Sequence, residues 1–364
     1  MTARLLLALV ALVLSGCATD PQLHPPAGVS AIEAALDRPC PASASIPLME
    51  SLAPLRAVTV QQFDGVPTDV DVVGGSTVVA LRDGRIVADD GTVLHDLREG
   101  TSLDADQGLF SVAAHPEGLL SLRTVTDGSL QLTLHRPDPG STDAVLLRVA
   151  QPDERHNGGG LVVHPDTGEV FVGVGDGGGQ GGWYLGDAPE LGTILRGVVR
   201  HGRLMPVDGA TDLVWATGLR NPNTLWLDGE RIWVADTGES CREEVSVVEL
   251  DRAAPDFGWN AREGDVDFIV DEARDPIEPV AVWRHDQERC AVVGGTRGPE
   301  WLDHVAVVAD HCTGELFAVT PDGFGQLPLD LATIIAVDVL DGELHVLLLD
   351  GSLVRVDRGD TPSG

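Results

Sequence analysis

The sequence predicts an all-β protein folded as a six-bladed β-propeller. Three observations lead to this fold class: short runs of alternating apolar residues recur along the chain, the runs come in pairs joined by a turn, and 43 glycines and 23 prolines interrupt the 364 residues. Turn-forming residues at this density break long helices, whereas alternation with a period of two is typical of half-buried strands. We therefore expect antiparallel hairpins throughout the body of the protein.

Six such hairpins can be recognised. They cover Val70–Leu81, Leu109–Leu122, Gly160–Val174, Thr224–Val234, Trp301–Ala318 (around Asp303) and Ile334–Leu348. The steps from turn to turn range from 39 to 74 residues. Steps of roughly 40–50 residues, stretched by insertions, fit four-stranded propeller blades, whereas a β-sandwich would rarely repeat one hairpin six times. The widest steps predict long inserted loops at 176–212 and 250–290, and such loops often carry binding sites.

The N-terminus has the pattern of an export signal. Arg4 precedes a short apolar run, and Leu14-Ser15-Gly16-Cys17 follows. The run is too short to cross a bilayer, which takes about 20 apolar residues. The last four residues resemble the bacterial lipobox, which implies lipidation of Cys17 and anchoring to the outer face of the cell membrane; the alternative is an ordinary signal peptide with an incidental cysteine.

These features predict four segments. Residues 1–16 form the signal peptide, and the Pro-, Ala- and Ser-rich segment 17–50 forms a tether and an initial strap. Residues 51–358 form the propeller, and 359–364 form a disordered tail. Beyond the signal peptide no stretch is long and apolar enough to cross a membrane, so the predicted membrane contact is the lipid anchor alone.

Charge and composition exclude several functions. The formal net charge is −33, and all 24 basic residues are arginine. Nothing in such a chain neutralises a phosphate backbone, so a nucleic-acid partner is excluded. Schiff-base chemistry is excluded as well, because there is no lysine. An acidic surface favours solubility and is compatible with cation binding.

Four cysteines follow Cys17, and an exported protein meets an oxidising environment in which disulfides form. Cys290 precedes a predicted strand pair and Cys312 closes it, so we pair these two. Cys40 and Cys241 then pair by elimination. Zinc ligation is the alternative, but no C-x-x-C or H-x-x-x-H spacing supports it.

Two motifs could carry chemistry at the funnel of the propeller. In Arg155-His156-Asn157-Gly158-Gly159, the histidine stands before a strand, and its ordinary pKa near 6.5 suits a general base. In Gly218-Leu219-Arg220-Asn221-Pro222, the arginine offers a fork of donors for carboxylates. The alternatives are a turn histidine bonded to backbone and an arginine that clamps backbone carbonyls.

Gly-rich acidic loops give a weaker signal for a metal. Gly175-Asp176-Gly177-Gly178 ends one predicted strand, and Ala235-Asp236-Thr237-Gly238-Glu239 ends another. Carboxylates and backbone carbonyls are the ligands that Ca²⁺ prefers. The EF-hand pattern is missing, however, and an acidic chain places some carboxylates in loops by chance.

Taken in order, these segments resemble the glucose/sorbosone dehydrogenase family, which includes soluble quinoprotein aldose sugar dehydrogenases and the propeller domain of Hedgehog-interacting protein. The resemblance covers about residues 60–355. It rests on the stretches Asp106–Pro116, His156–Asp176, Leu191–Gly197, Gly218–Pro222, Trp233–Val245, Asp256–Trp259 and Cys290–Phe317.

The resemblance implies a six-bladed propeller that binds pyrroloquinoline quinone (PQQ) and Ca²⁺ in its funnel and oxidises a small-molecule sugar. It assigns His156 as the base that takes the proton of the sugar hydroxyl. Arg220 and Asn221 match the pair that contacts the quinone, Gln107 or Asp106 matches a cofactor-contacting glutamine, and Gly238 and Glu239, preceded by Thr237, match the loop that holds Ca²⁺.

The chain also departs from the family. The lysine that the sugar dehydrogenases use against the carboxylates of PQQ falls near His311-Cys312, and a later arginine pair falls near Ala332–Ile334, where nothing is basic. Four arginines are candidates to replace these charges: Arg155, Arg196, Arg289 and Arg297. In this respect Asp310–Gly314 is closer to the cysteine-containing branch near Hedgehog-interacting protein.

Three functional hypotheses follow. The first is a PQQ- and Ca²⁺-dependent sugar dehydrogenase outside the cytoplasmic membrane. The second is a non-catalytic propeller that has lost the quinone and binds a ligand or a partner. The third is a Ca²⁺-dependent, lactonase-like hydrolase on the same architecture. The surviving histidine and arginine motifs favour the enzyme, and the missing cations favour the binder.

Overall fold

The computed structural model describes residues 40–52, 54–137, 141–178, 188–268, 275–285 and 288–359. The signal peptide and the lipidation site Cys17 lie outside these residues. The predicted fold is confirmed, because the described strands form six consecutive antiparallel sheets of at least four strands each, arranged as the blades of a propeller.

The first three blades follow one another along the chain, after a strand β1 (Leu55–Gln62) that belongs to the last blade. Blade one contains β2 (Pro67–Val73), β3 (Ser76–Leu81), β4 (Arg85–Ala88) and β5 (Val93–Asp96). Blade two contains β6 (Leu109–His115), β7 (Gly118–Thr124), β8 (Leu130–His135) and β9 (Ala144–Val149). Blade three contains β10 (Leu161–Val163), β11 (Val170–Val174), β12 (Thr193–Arg200), β13 (Arg203–Pro206) and β14 (Val214–Ala216), which pairs with β12.

The last three blades complete the ring. Blade four contains β15 (Pro222–Asp228), β16 (Arg231–Asp236), β17 (Arg242–Glu249) and β20 (Ala281–Arg284), with a small hairpin of β18 (Arg262–Glu263) and β19 (Val266–Asp267) inserted before β20. Blade five contains β21 (Val292–Arg297), β22 (Ala306–Asp310), β23 (Glu315–Thr320) and β24 (Gly323–Asp330). Blade six contains β25 (Ile334–Leu340), β26 (Glu343–Leu348) and β27 (Ser352–Arg358). Short 3₁₀ helices lie at Glu50–Leu52, Arg98–Gly100 and Glu300–Leu302.

The ring closes through strands from both ends of the chain. β1 pairs antiparallel with β27, from Leu55 opposite Arg358 to Gln62 opposite Ser352, and so becomes the outer strand of blade six. The strap before β1 lies against blade five, where Met49 and Gln326 are joined by a backbone hydrogen bond of 2.9 Å. Within the part of the chain that the structure describes, no helix has the length and apolar character needed to cross a membrane.

Apolar side chains on both faces of the sheets pack between neighbouring blades. Between blades two and three, for example, Leu122 and Leu132 contact the layer that holds Val172 and Leu195, and all four are fully buried. Burial of this kind stabilises a sheet by about 25 cal/mol per Å² of apolar surface. The rigid blades hold their inner strands around a channel of about 630 Å³.

Both disulfides have the predicted partners. Cys290 is bonded to Cys312, and Cys40 is bonded to Cys241 across 201 residues of sequence. The second bond ties the strap before β1 to the loop that leads into β17. The strap is therefore attached at two places, to blade four covalently and to blade five by backbone hydrogen bonds.

Three sequence predictions need correction. The turn predicted at Asp303 is misplaced: Trp301–Ala318 does contain an antiparallel pair, β22 and β23, but its turn lies at 311–314. Asp303 lies instead in the connection between β21 and β22, and Trp301 belongs to a 3₁₀ helix. Gly294 and Gly295 interrupt the alternation of β21 and accompany a register shift, which hid the inner strand. The predicted loop 176–212 contains β12 and β13, and the loop 250–290 contains β18, β19 and β20.

Candidate active site

Blade three holds His156 and Asp176 together at the mouth of the channel, by which we mean the end where the inner strands begin. His156 lies two residues before Gly158, which lines the channel. His156 stands just before β10, and Asp176 stands just after β11, so the β10–β11 hairpin brings their side chains together. His156 Nδ1 lies 3.0 Å from Asp176 Oδ1. This approach needs glycine at position 175, since a Cβ there would lie 1.9 Å from the carbonyl oxygen of His156. The imidazole is 18% exposed, which leaves it open to a small molecule, whereas Asp176 is fully buried.

Arg220 reaches the same imidazole from the next blade. Its Nη2 lies 2.9 Å from His156 Nε2, and Arg220 precedes the first strand of blade four, β15. Its Nε donates to Glu239 Oε2 at 2.8 Å, its Nη2 also contacts that oxygen, and its Nη1 donates to the Thr237 carbonyl at 2.9 Å. The guanidinium lies 5.9 Å from the centroid of the Trp259 ring.

These contacts determine the tautomer of His156. A guanidinium has only donors, so His156 Nε2 must accept and carries no proton. The proton is then on Nδ1, which donates to Asp176. Asp176 is itself oriented by Trp259, whose Nε1 donates to Asp176 Oδ2 at 2.9 Å. The site thus holds a neutral imidazole with the lone pair of Nε2 directed away from its carboxylate partner, the arrangement that a general base requires.

Buried charges surround Arg220 and Glu239. Burial opposes the charge of Arg220, but Glu239, Asp176 and Glu263 outweigh that effect and raise its pKa. Burial likewise acts to raise the pKa of Glu239, but the charge and the hydrogen bond of Arg220 oppose burial, and the pKa of Glu239 is lowered. Both side chains are therefore ionised at neutral pH, and the pair is about nine-tenths buried.

Asn221 and Asp236 fix the backbone on either side of the site. Asn221 Oδ1 accepts the Gly158 N–H at 2.9 Å, which ties the loop after His156 to blade four. Asp236 accepts the N–H groups of Arg220 at 2.9 Å and Asn221 at 2.6 Å. Burial, more than any neighbouring charge, raises the pKa of Asp236 to about 7.

The remaining predicted cofactor residues lie at different distances from this centre. Asp106 Oδ2 accepts the backbone N–H of His156 at 3.4 Å. Gln107 is buried, and its backbone carbonyl accepts from Arg82 Nε at 3.0 Å. Arg155 lies 3.7 Å from Asp153 and is 41% exposed. The loop of Asp106 and Gln107 therefore adjoins His156, while Arg155 has an acidic partner of its own.

The predicted metal loop adjoins an unpartnered carboxylate oxygen. Gly238 is tightly enclosed, since a Cβ there would lie 1.7 Å from the Arg242 carbonyl and 2.5 Å from Glu263 Oε1. Glu263 Oε1 accepts three backbone N–H groups, from Ser240, Cys241 and Arg242. Within the described residues the buried Glu263 Oε2 has no hydrogen-bond partner. A buried anionic oxygen beside the loop of Gly238 and Glu239 fits a bound cation.

The other arginines proposed to replace the missing cations are paired elsewhere. Arg196 contacts Glu169 at 2.6 Å, Arg289 contacts Glu315 at 2.6 Å, and Arg297 contacts Asp228 at 3.2 Å. Each of these partners belongs to a blade sheet or a strand connection, and none is a residue of the centre around His156. In the described part of the chain, Arg220 is thus the arginine that contacts His156.

Sequence reasoning missed three residues of this centre as parts of it. Asp176 was noted for its Gly-rich loop and Trp259 as part of a matching stretch, but neither was connected to His156. Glu239 was expected as part of the loop that holds Ca²⁺, whereas its carboxylate pairs with Arg220. The sequence did contain one signal for Asp176. This residue follows β11, which pairs with β10, the strand that His156 precedes, and antiparallel pairing brings those two strand ends together.

The fold and the site together define a class: a six-bladed propeller with a histidine–carboxylate–arginine centre at the mouth of its channel. A model of the Glucose / Sorbosone dehydrogenase family matches residues 67–310. The chain belongs to the glucose/sorbosone dehydrogenase family.

Two solved structures support the fold. The chain is similar to the PQQ-bound form of aldose sugar dehydrogenase from Streptomyces coelicolor, with 19% identity, a TM-score of 0.67, and coverage of 86% of this chain and 99% of that one. It is also similar to a glucose dehydrogenase, with 18% identity, a TM-score of 0.64, and coverage of 84% and 99%. At these identities the likeness establishes the fold.

Proposed function

We propose that this protein is a PQQ- and Ca²⁺-dependent dehydrogenase that oxidises an aldose sugar outside the cytoplasmic membrane. The observation that carries the proposal is the contact of His156 Nε2 with Arg220, at 2.9 Å, combined with the contact of His156 Nδ1 with Asp176. Family membership and the PQQ-bound relative support the choice of cofactor and of substrate class.

His156 acts as the base. Its Nε2 lone pair takes the proton from the sugar hydroxyl, and the positive charge that develops on the ring is stabilised by Asp176 through Nδ1–H. Trp259 keeps Asp176 in place by occupying its second oxygen. Proton transfer by a positioned side chain typically contributes a factor of 10²–10⁴ to the rate.

Arg220 positions the base and supplies positive charge. It stays protonated because Glu239 and Asp176 surround it, and its fork of donors suits an oxygen that gains negative charge. Substrate binding requires Arg220 Nη2 to release His156 Nε2, and Glu239 keeps the guanidinium in the site when this happens.

The backbone carbonyls of Gly238 and Glu239, with Asn221 and the loop of Asp106 and Gln107 nearby, would hold Ca²⁺ and the quinone. The quinone supplies the two-electron acceptor for the hydride. The unpartnered Glu263 Oε2 supports a cation at this place, and the cation would also offset the charge of the three carboxylates of PQQ. The cation would be more important in this chain than in relatives, because those relatives have a lysine and an arginine pair to balance the carboxylates of PQQ.

Export and lipid anchoring belong to the same proposal. The signal pattern and Cys17 support it, as do two disulfides, which are typical of proteins in oxidising compartments. A periplasmic or surface location would give the site access to external sugars.

A non-catalytic binding propeller is the second candidate. The observation that favours it is the saturation of Arg220, whose three nitrogens all have partners within the protein, leaving the described centre with little unpaired positive charge.

Reconstitution separates the two candidates. The purified protein is incubated with PQQ and Ca²⁺ and assayed for dye reduction with a panel of aldoses. If the protein is the proposed dehydrogenase, we expect dye reduction that depends on the sugar, requires both PQQ and Ca²⁺, and is lost in His156→Ala. His201→Asn is the matched control, because His201 is an exposed turn residue in the left-handed region that asparagine tolerates. Absence of PQQ binding, together with no dye reduction with any aldose, would favour the binding propeller that has lost the quinone.

A further inference from the structure

A second cluster of ligand-type side chains lies on the outer part of the propeller, between blades one and two. It consists of His95 on β5, His135 at the end of β8 and Asp143 just before β9. One potential ligand atom from each residue lies within 4.8 Å of the other two. The three residues come from three separate stretches of sequence, so their convergence is a product of the fold.

We propose that His95, His135 and Asp143 form a binding site for a zinc-class divalent metal ion that bridges blades one and two. Two imidazoles and one carboxylate are ligands that Zn²⁺ accepts, and three protein ligands leave a fourth tetrahedral position for water. The site is separate from the channel mouth, because its residues belong to outer strands, whereas His156 and Arg220 precede inner strands.

The geometry is close to that of a tetrahedral site. His135 Nδ1 lies 2.7 Å from Asp143 Oδ2, and the rings of His95 and His135 are 4.4 Å apart at an interplanar angle of 38°. Bond lengths near 2.0–2.1 Å around Zn²⁺ place tetrahedral ligand atoms about 3.4 Å apart. His135 Nδ1 and Asp143 Oδ2 must therefore move apart by about 0.7 Å, and Asp143 has room to do so because its side chain is 48% exposed. The His95 ligand atom, within 4.8 Å of the other two, must approach them.

The buried histidine has a partner that suits metal binding. His135 Nε2 lies 2.8 Å from Ser121 Oγ, and both side chains are buried. Without metal, Nδ1–H donates to Asp143, and Nε2 accepts from the serine hydroxyl. With metal, Nδ1 becomes the ligand, and Nε2–H donates to the same hydroxyl, which can take either role. Metal ligands of this type nearly always have such an outer partner for the second nitrogen.

Both imidazoles favour the neutral form that binds metal. Burial lowers the pKa of His95 and of His135, although Asp143 acts in the opposite direction on each. Arg123 adds a smaller repulsion on His135, and its guanidinium is itself engaged with the Leu97 carbonyl and Thr101. Among the described residues no hydrogen bond to the His95 ring is found, so this imidazole is available as the third ligand.

The test is a titration of the chelator-treated, full-length protein with Zn²⁺ in the presence of excess Ca²⁺, which fills sites that prefer oxygen ligands. Wild type should bind one equivalent tightly. His95→Ala and Asp143→Asn should weaken that binding at least tenfold, whereas His345→Ala should not. His345 is the matched control, since it is also a half-buried histidine on a blade strand. His135 is left intact because its replacement could unfold blade two.

Two further measurements keep the result specific. Co²⁺ bound at this site should give the intense visible bands of tetrahedral coordination in wild type and in His345→Ala, and lose them in His95→Ala. Zn²⁺ should raise the Tm of wild type more than that of Asp143→Asn, each compared with its own Tm in chelator. Absence of stoichiometric binding by wild type, or equal binding by all variants, overturns the proposal. Dye-reduction activity plays no part in these readouts, so the proposed dehydrogenase function can fail independently.

Discussion

Arg220 Nη2 and His156 Nε2 lie 2.9 Å apart, although 64 residues separate them in the sequence. The contact joins blade three to blade four at the mouth of the channel. Because the arginine can only donate, it fixes the proton of His156 on the nitrogen that faces Asp176. From the sequence alone, His156 could equally have been a turn residue. These contacts make it a member of a polar network with Arg220 and Asp176.

Asp176→Asn tests that network. An amide NH₂ facing His156 Nδ1 would favour the opposite tautomer, with a proton on Nε2 directed at Arg220, so the base would be lost. We expect the kcat for sugar oxidation to fall by about 10²–10⁴. Asp357→Asn, on a blade strand and paired with Arg355, is the control. Full activity of Asp176→Asn in the reconstituted enzyme would show that the Asp176 carboxylate is not needed to hold His156 as the base.

Glu239→Gln tests the buried ion pair. Removal of one partner from a buried pair leaves the other charge uncompensated, and we expect a loss of about 3–5 kcal/mol in the free energy of unfolding, measured by urea denaturation. Asp208→Asn, which breaks an exposed pair with Arg200, should leave the free energy of unfolding nearly unchanged. Equal effects of the two substitutions would contradict the assignment.

The same pair has a defined pH dependence. The pKa of Glu239 is lowered in the folded protein, so the stability it contributes is present above the ordinary glutamate value of 4.5 and is lost as the pH falls through the lower folded value. The difference between wild type and Glu239→Gln should therefore shrink in acid. A difference that stays constant to low pH would indicate a packing effect rather than a charge effect.

Asp338 should have the opposite effect on how the stability of the protein depends on pH. Burial raises its pKa to about 7, and Thr296 and the Val339 N–H bond to its Oδ1. A carboxyl with a raised folded pKa binds more protons when folded than when unfolded between about pH 4 and 7, so it lowers stability as the pH rises through that range. Asp338→Asn should make the stability of the protein fall less between pH 5 and 8 than that of wild type. An unchanged profile in chemical denaturation would contradict this.

The two disulfides should differ in their effect on stability. In the chain-entropy description, a bond that closes 201 residues is worth about 5 kcal/mol and one that closes 22 residues about 3 kcal/mol. Replacing Cys40 and Cys241 by serine should therefore cost more stability, and it should also make the strap before β1 accessible to protease. The same pair of changes at Cys290 and Cys312 should leave the strap protected. Equal proteolysis in both variants would contradict the attachment of the strap.

The sequence predicted the fold well where local chemistry was uniform. Alternating apolar residues and glycine turns identified the inner hairpins of five blades, because successive side chains of a strand point to opposite faces of its sheet. The inner strand β21 was not recognised, because Gly294 and Gly295 have no side chains and interrupt the alternation of apolar and polar residues. Cys40 and Cys241 were paired because only two cysteines remained.

The site was predictable only in part. His156 and Arg220 could be assigned through the family resemblance, but their contact depends on how blades three and four are packed, which no local pattern encodes. Trp259 and Glu263 come from the insertion before β20, and their positions follow from tertiary structure. The cluster of His95, His135 and Asp143 has no recognisable spacing, so it emerged only when the blades were in place.

The most direct test of the account is PQQ binding itself. The purified protein is titrated with PQQ at equilibrium, with and without Ca²⁺, for wild type and for Arg220→Met. We expect saturable binding of one equivalent of PQQ at micromolar concentration or below, which depends on Ca²⁺ and is weakened by loss of Arg220. Absence of PQQ binding by wild type at micromolar concentration in the presence of Ca²⁺ would contradict it.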